Sequence, residues 1–162
     1  PEYSSAASDV YKRQVNNNAI SGASIEVWQS GPDGLYDVQK EGNLVDLRGT
    51  FMSQHDGSYM FRTVKPQYYP IPVDGPVGDL LNSLDRHPFR PAHVHFMVKA
   101  NGYKDLVTHA FIDGDKYLES DTVFAVKKSL IRKLEEGFDE ENNSKCFFLN
   151  FDIVMESIKK GA

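Results

Sequence analysis

The sequence predicts an all-β domain, because apolar and polar residues alternate in short segments that turn residues separate. In the segment Ser24–Gln29, Ile25 and Val27 alternate with polar residues, which is typical of a half-buried strand. Clusters of glycine, proline and aspartate, such as residues 31–34, are typical of turns. No segment has the strand–helix–strand pattern of a parallel sheet. We therefore expect a β-sandwich of mixed strand topology with short helices in its loops.

The same signals place the other elements along the chain. Strands are predicted at residues 50–54, 58–64, 93–99, 106–112 and 147–154. Short helices are predicted at residues 78–84 and 121–134, and the acidic run at residues 137–143 is predicted to be a solvated loop. Residues 66–78 contain four prolines, so we expect a rigid loop of the kind in which binding residues often lie.

Length and composition restrict the class of protein. The 162 residues fit one domain, which we expect to span residues 15–162. The net charge of −5 argues against a nucleic-acid partner, because phosphates are bound by basic surfaces. No apolar run is long enough to span a bilayer, so no membrane partner is expected. The single cysteine, Cys146, cannot form an intrachain disulfide, which favours a reducing compartment such as the cytoplasm.

Residues 1–14 differ from the rest of the chain, because they are polar and have neither helical nor strand periodicity. The segment SSAASDVYKRQ at residues 4–14 resembles a translated sequencing-adapter remnant. We therefore predict that residues 1–14 are a non-native or disordered leader outside the folded domain. The alternative is an ordinary frayed terminus.

Candidate metal ligands lie in the predicted strand at residues 93–99. His93 and His95 are two positions apart, and in a strand such residues point to the same face. Two imidazoles on one face can share an ion, although this pair alone is equally compatible with two structural histidines. A zinc site would need a further ligand, for which the candidates are His87, His109, Asp113 and Asp115.

Three tyrosines favour a different metal. Tyr36 follows the turn after the first predicted strand, and Tyr68 and Tyr69 lie in the proline-rich loop. A phenolate is a hard anionic ligand, and a trivalent cation can displace its proton although the ordinary pKa of a phenol is about 10. Two histidines with two tyrosines therefore fit Fe(III) better than zinc. The alternative for each tyrosine is a place at the edge of the apolar core.

Several motifs resemble those of the intradiol ring-cleavage dioxygenases. The longest are FRTVKPQYYPIPVDGPVG at residues 61–78 and RPAHVHF at residues 90–96. Shorter ones are VWQ at residues 27–29, YDVQ at residues 36–39, GDKYL at residues 114–118 and SDTVF at residues 120–124. All of them occur in the order and at the spacing of the family. Within it, the sequence is most similar to hydroxyquinol 1,2-dioxygenases and next to catechol 1,2-dioxygenases.

The resemblance implies a metal and its ligands. One non-haem Fe(III) per chain is expected, with the ligands Tyr36, Tyr69, His93 and His95. Between the two adjacent tyrosines, Tyr69 is favoured over Tyr68, because the ligand of the family stands three residues after the first proline of the loop, here Pro66.

The resemblance also implies the reaction. An aromatic vicinal diol, hydroxyquinol or catechol, is expected to be cleaved by O2 between its hydroxyl-bearing carbons, to a muconate-type product that is maleylacetate for hydroxyquinol. Arg90 precedes the Pro-Ala-His motif and matches the catalytic, substrate-binding arginine of the family. Tyr69 is expected to act as a base. Where catechol enzymes often carry a glutamine in the substrate pocket, the sequence has His109.

Two departures and two other interpretations accompany this resemblance. The N-terminal helical domain of the family, which builds a homodimer interface, and the strand before Gly22 have no counterpart in the sequence, so a shortened catalytic domain is expected. A homodimer is expected for the full-length members. The alternatives are another metalloenzyme with a histidine pair, such as an Fe(II) extradiol-type oxygenase or a zinc hydrolase, and a non-catalytic β-sandwich fragment.

Overall fold

A computed structural model of the chain describes residues 5–7, 10–14, 19–42 and 45–158, with the backbone alone for the first two ranges. The strands are β1 (Ser5–Ala7), β2 (Val10–Gln14), β3 (Ser24–Gln29), β4 (Arg48–Met52), β5 (Ser58–Tyr59), β6 (Arg62–Val64), β7 (Tyr69–Pro70), β8 (Phe89–Arg90), β9 (His93–Lys99), β10 (Leu106–Ile112), β11 (Ile131–Arg132), β12 (Leu134–Asp139), β13 (Ser144–Leu149) and β14 (Ile153–Met155). The helices are α1 (Pro76–Ser83) and two single 3-10 turns, Asp37–Gln39 and Lys128–Leu130. The prediction of an all-β fold with short helices in loops is confirmed.

A five-stranded sheet with the order β11-β10-β9-β3-β4 forms the centre of the fold. Strands β10, β9, β3 and β4 are antiparallel neighbours, and β11 joins β10 in parallel, so the topology is mixed as predicted. The alternation in β3 and β9 determines which face is buried, because successive side chains of a strand point to opposite faces. One face of this sheet carries Ile25, Val27, Val94, Phe96 and Val98, each at most 4% exposed.

The apolar face of this sheet packs against side chains from the remaining strands. The other sheets have the orders β12-β13-β1-β6, β14-β2-β5 and β7-β8. Together with the adjoining loops they contribute Tyr59, Phe61, Leu149, Phe151, Ile153 and Met155 to the same core cluster. Burial of this many large apolar side chains is the main stabilising contribution to such a domain. The opposite face of the five-stranded sheet is left for polar side chains.

The backbone of the N-terminal segment is extended, unlike the predicted disordered leader, and the expectation that no strand precedes Gly22 is wrong, because β2 lies there. The backbone of β1 pairs with β13 and β6, and that of β2 pairs with β14 and β5. Residues 1–4 and 8–9 of the predicted leader lie outside the described residues. An unpaired sheet edge presents N–H and C=O groups to any extended segment, which is the physical reason for pairing here. That the leader is non-native stays a prediction.

The predicted helix at residues 121–134 is wrong. The Asp121 carboxylate accepts hydrogen bonds from the N–H groups of Val123 (3.4 Å) and Ala125 (2.9 Å), and Phe124 adopts a left-handed φ of 56°. Such aspartate turns compete with helix formation. The chain then extends into β11, where Ile131 pairs with Phe111. Tertiary pairing therefore overrides the local helical pattern.

The acidic segment 137–143 is a solvated loop only in part. Strand β12 extends to Asp139 and pairs with β13, with Gly137 opposite Cys146. The ring of Phe148 covers Gly137 so closely that a Cβ there would collide with it. Cross-strand pairing thus extends the strand into the charged run, and the turn is confined to residues 140–143.

Within the described ranges, no helix combines the length and the apolar character needed to traverse a bilayer.

Candidate metal centre

Three histidines meet on the polar face of the five-stranded sheet because of its register. His95 of β9 lies directly opposite His109 of β10 on one side and Trp28 of β3 on the other. Residues paired in this way project to the same face. The Trp28 ring stacks on the His95 ring, with centroids 4.7 Å apart and planes 6° apart, and the His109 ring lies 4.5 Å away. With His93 on the same face, the ligand atoms of the three histidines all lie within 4.8 Å of one another.

The tautomer of His93 is determined by a backbone carbonyl. His93 Nδ1 lies 2.6 Å from the carbonyl oxygen of Pro91, which can only accept a hydrogen bond. Nδ1 therefore carries the proton, and the lone pair is on Nε2, 3.0 Å from His95 Nε2. Burial, followed by the nearby charge of Arg90, lowers the pKa of His93 to about 3. His93 is therefore neutral and able to act as a ligand at physiological pH.

Tyr36 reaches the histidines from the loop that follows β3. Its backbone N–H donates to Gln39 Oε1 (2.9 Å), and the neighbouring Asp37 accepts two hydrogen bonds of 2.9 Å from Arg48 on β4. This bidentate pair holds the loop against the sheet, and Tyr36 Oη lies 3.0 Å from His95 Nε2. Burial, and then the adjacent Tyr69, raise the pKa of Tyr36 well above its ordinary value. Its ionisation therefore needs a cation of high charge close to the oxygen.

Tyr69 and Arg90 enter the site from the small sheet of β7 and β8, in which they are direct partners. Arg90 Nη1 lies 3.4 Å from Tyr69 Oη and 3.2 Å from His93 Nε2. The Tyr69 ring meets the Tyr36 ring edge-on at 5.0 Å. The structure therefore brings together the six residues that the family resemblance pointed to, which are Tyr36, Tyr69, Arg90, His93, His95 and His109.

Tyr68, the residue next to Tyr69, lies outside the histidine cluster. The Tyr68 ring packs edge-on against Phe89 at 5.7 Å and Tyr117 at 5.1 Å, and Lys116 Nζ lies 4.1 Å from its centroid. Tyr68 directly precedes β7, and in extended backbone successive side chains point in opposite directions, so only one of the two tyrosines faces the histidines. The residue that does so is Tyr69.

The other candidate zinc ligands do not join this cluster. His87 Nε2 lies 2.9 Å from Ser120 Oγ, and the carboxylates of Asp113 and Asp115 accept hydrogen bonds from backbone N–H groups of their own loop and of Ala92. Over the ranges that the structure describes, the histidine cluster contains no carboxylate. These residues therefore do not form a site of two histidines plus a carboxylate.

Sequence reasoning missed two supports of the site. One is Trp28, whose ring stacks on His95, and the other is Asp121, which forms a buried ion pair with Arg90 (3.2 Å). Both stand within motifs that carry the family resemblance, at residues 27–29 and 120–124, and this was the signal that could have identified them.

The donor atoms fit a shared metal ion. Nitrogen and oxygen ligands bind such an ion at about 2.0–2.2 Å, which places neighbouring ligand atoms about 3 Å apart. The distances from His93 Nε2 to His95 Nε2 and from His95 Nε2 to Tyr36 Oη are both 3.0 Å. Neutral imidazole nitrogens suit transition metals such as iron, and a phenol oxygen becomes an anionic ligand when a highly charged cation displaces its proton.

Comparison with known proteins identifies the family of this chain. The family model Dioxygenase_C, described as Dioxygenase, matches residues 11–157. The chain is 50% identical over 142 residues to 6-chlorohydroxyquinol 1,2-dioxygenase of Cupriavidus pinatubonensis. It belongs to the intradiol ring-cleavage dioxygenase family. The resemblance inferred from the sequence motifs is thus confirmed.

Other members of the intradiol dioxygenase family show the extent of the match. Hydroxyquinol 1,2-dioxygenase of a Rhizobium species is 49% identical over 133 residues, which cover 81% of this chain and 45% of the relative. The Cupriavidus alignment covers 87% of this chain and 50% of the relative. The crystal structure of hydroxyquinol 1,2-dioxygenase from Pseudomonas putida matches with a TM-score of 0.88 at 38% identity, over 98% of this chain and 58% of that chain. This likeness confirms the predicted β-sandwich, and the chain spans about half the length of the curated relatives it matches.

Proposed function

We propose that this chain is the catalytic part of an Fe(III)-dependent intradiol dioxygenase. Its substrate is an aromatic vicinal diol, hydroxyquinol before catechol, which O2 cleaves between the two hydroxyl-bearing carbons to maleylacetate or a muconate. The observation that carries the proposal is the convergence of Tyr36 Oη, His93 Nε2 and His95 Nε2 beside Tyr69 and Arg90. The names of the hydroxyquinol 1,2-dioxygenases at about half identity support the substrate.

One non-haem Fe(III) per chain is held, in this proposal, by Tyr36, Tyr69, His93 and His95. Two phenolates balance much of the ferric charge, and two neutral imidazoles complete the set. When bound, ferric iron would supply an electron-withdrawing centre that makes the ring of the diol reactive toward O2. The Pro91 carbonyl keeps the His93 lone pair directed at the site, and Trp28 holds the plane of His95 by stacking.

Tyr69 is the proposed proton acceptor, and Arg90 is the residue proposed to stabilise negative charge. Tyr69 accepts a proton from a substrate hydroxyl as the diol binds, and the Arg90 Nη1–H beside its oxygen can donate to that oxygen. Arg90 Nη2 is buried and, among the described residues, has no hydrogen-bond partner, so it is a free donor for negative charge that develops on the ring. A fixed guanidinium in a desolvated site stabilises such charge far more than water would.

His109 is proposed as a substrate-binding residue. Its ring lies 4.5 Å from His95 and 5.3 Å from His93, on the face that the diol would approach. Burial, followed by the charge of Arg90, lowers the pKa of His109. A neutral imidazole offers one donor and one acceptor to a hydroxyl group.

The test is to load the purified chain with ferric iron and to measure its visible absorption and its oxygen uptake. Tyrosinate bound to ferric iron absorbs visible light, so a coloured protein with about one iron per chain is expected. Oxygen uptake with hydroxyquinol, catechol and chlorocatechols, expressed as relative kcat/KM, then ranks the substrates. A colourless protein that holds stoichiometric ferric iron, or the absence of oxygen uptake with every diol, would contradict the proposal.

Two further expectations are part of the proposal. The full-length protein is expected to form a homodimer, which light scattering during size-exclusion chromatography measures. A cytoplasmic location is also expected and follows from the single cysteine, Cys146, which is buried and free.

A further inference from the structure

A buried ion pair holds the guanidinium of Arg90 at the edge of the candidate metal centre. Arg90 Nε donates to Asp121 Oδ1 at 3.2 Å, and the two side chains are only 8% and 2% exposed. Arg90 Nη1 reaches Tyr69 Oη and His93 Nε2. Because a guanidinium is planar and rigid, contacts at Nε and at Nη1 together determine its position and its plane.

Asp121 is itself fixed from two directions. Its Oδ2 accepts the N–H of Ala125 at 2.9 Å, and its Oδ1 also accepts the N–H of Val123 at 3.4 Å. The next residue, Thr122, donates its N–H to the carbonyl of Phe89 at 3.2 Å, and Phe89 directly precedes Arg90 in β8. The carboxylate therefore cannot follow the arginine if the arginine moves.

From this arrangement we infer that Asp121 is a positioning residue, which keeps the Arg90 guanidinium aimed at the reacting diol. The inference rests on the function proposed above. Asp121 makes no described hydrogen bond to the histidines or tyrosines of the site, and its hydrogen bond to the site goes to Arg90. Its charge also acts on His109, where it opposes the lowering of the pKa by burial and by Arg90, so the Arg90→Ala background below distinguishes the two routes. Without the carboxylate, a buried guanidinium loses its counter-charge and turns toward other acceptors.

The test is Asp121→Asn in the full chain loaded with ferric iron. Asparagine keeps the shape but removes the charge and one acceptor, so the guanidinium is no longer held in one orientation. We expect kcat to fall about 10- to 100-fold, with KM changed by less than about 3-fold, because the lost interaction acts on charge that develops during the reaction. Iron content and the visible band should stay as in the parent chain.

Asp139→Asn is a matched control. Asp139 is also a buried carboxylate (7% side-chain exposure), paired with Arg62 at 3.2 Å, and it also accepts backbone N–H groups of its own turn. It lies on β12, outside the candidate metal centre. Its loss should lower the melting temperature and leave kcat within about twofold, as expected for distant, independent sites.

Two double-mutant cycles distinguish a positioning role of Asp121 from a general loss of stability. In an Arg90→Ala background, Asp121→Asn should cause no further loss of kcat, because Asp121 then has nothing to position. In the metal-free chain, the effects of Arg90→Met and Asp121→Asn on the melting temperature should be strongly non-additive. If Asp121→Asn fails to fold, Asp121→Glu serves instead, since it keeps the charge but displaces the guanidinium by one methylene and should still lower kcat.

The outcomes are distinguishable. A parent chain that does not cleave any diol contradicts the proposed function, while the thermal cycle still tests the Arg90–Asp121 pair. An active parent chain with Asp121→Asn at unchanged kcat overturns the inference. So does an equal loss of kcat with and without Arg90, because Asp121 would then act by another route.

Discussion

Replacing Tyr69 with phenylalanine removes one oxygen atom from the candidate metal centre and leaves the aromatic ring in place. A positioned acid or base contributes about 10²- to 10⁴-fold to a rate, equivalent to about 2.7–5.4 kcal/mol in the barrier. We therefore expect Tyr69→Phe to lower kcat for hydroxyquinol by about 10²- to 10⁴-fold. The visible band of the ferric-loaded chain should weaken as well, because one tyrosinate ligand is lost.

The same substitution should hardly affect folding. Tyr69 Oη makes one long contact of 3.4 Å with Arg90 Nη1, and a hydrogen bond of this kind contributes at most about 1 kcal/mol. For a domain of this size, such a loss lowers the melting temperature by about 2–4 °C. Oxygen uptake at 25 °C measures the loss of activity, and circular dichroism on the same samples shows whether the variant is still folded.

Tyr68→Phe is the matched control for this experiment. It removes the same atom from the neighbouring residue, whose ring packs on Phe89 and Tyr117 outside the site. We expect unchanged colour and a kcat within about twofold of the parent chain, as for surface changes generally. If Tyr69→Phe kept full activity, or if Tyr68→Phe were the variant that lost colour, the placement of Tyr69 as ligand and base would be refuted.

Three other perturbations have expected outcomes. His93→Ala and His95→Ala should each lose iron, as measured by metal analysis after dialysis, and stoichiometric iron in both would contradict the proposed ligand set. Arg48, as the main cause, lowers the pKa of Asp37 from 3.8 to about 2, so the stability from this pair is present above about pH 4 and lost as the pH falls toward 2. Arg48→Met should thus lower the free energy of unfolding in urea more at pH 7 than at pH 2.5, and an equal loss at both pH values would exclude this linkage. Phe96→Ala, at a fully buried position, should cost about 3–5 kcal/mol in the same measurement, and a cost below about 1 kcal/mol would show that Phe96 is not part of the core.

Much of the central sheet was predictable because its local pattern and its tertiary environment agree. Strands β3, β9 and β10 begin and end close to the predicted residues. In β3 and most of β9, buried apolar residues alternate with less buried ones, which is the pattern that predicts a strand. Residues 121–134 are the contrary case. These residues do have a helical pattern. The Asp121 turn and the pairing of Ile131 with Phe111 stabilise the extended conformation more than the local preference stabilises a helix.

The residues that converge beside the histidines were predictable, and the contacts that hold them there were not. Spacing places His93 and His95 on one face, and motif resemblance singled out Tyr36, Tyr69 and Arg90. No periodicity could show that His109 lies opposite His95, because that depends on how strands distant in sequence are paired. The hydrogen bond from His93 Nδ1 to the Pro91 carbonyl is local, but strand periodicity does not show it either.

By itself, the sequence determined the β class and the faces of the main strands, because these follow from side-chain type and local spacing. The proposed roles of Tyr36, Tyr69 and Arg90 came from motif resemblance. Tertiary structure alone decided that His109 lies opposite His95, and which carboxylate holds Arg90. Asp121 is 31 residues from Arg90 along the chain, yet their side chains meet at 3.2 Å. Such contacts depend on strand register and turn geometry, through which residues far apart in the chain are brought to hydrogen-bonding distance.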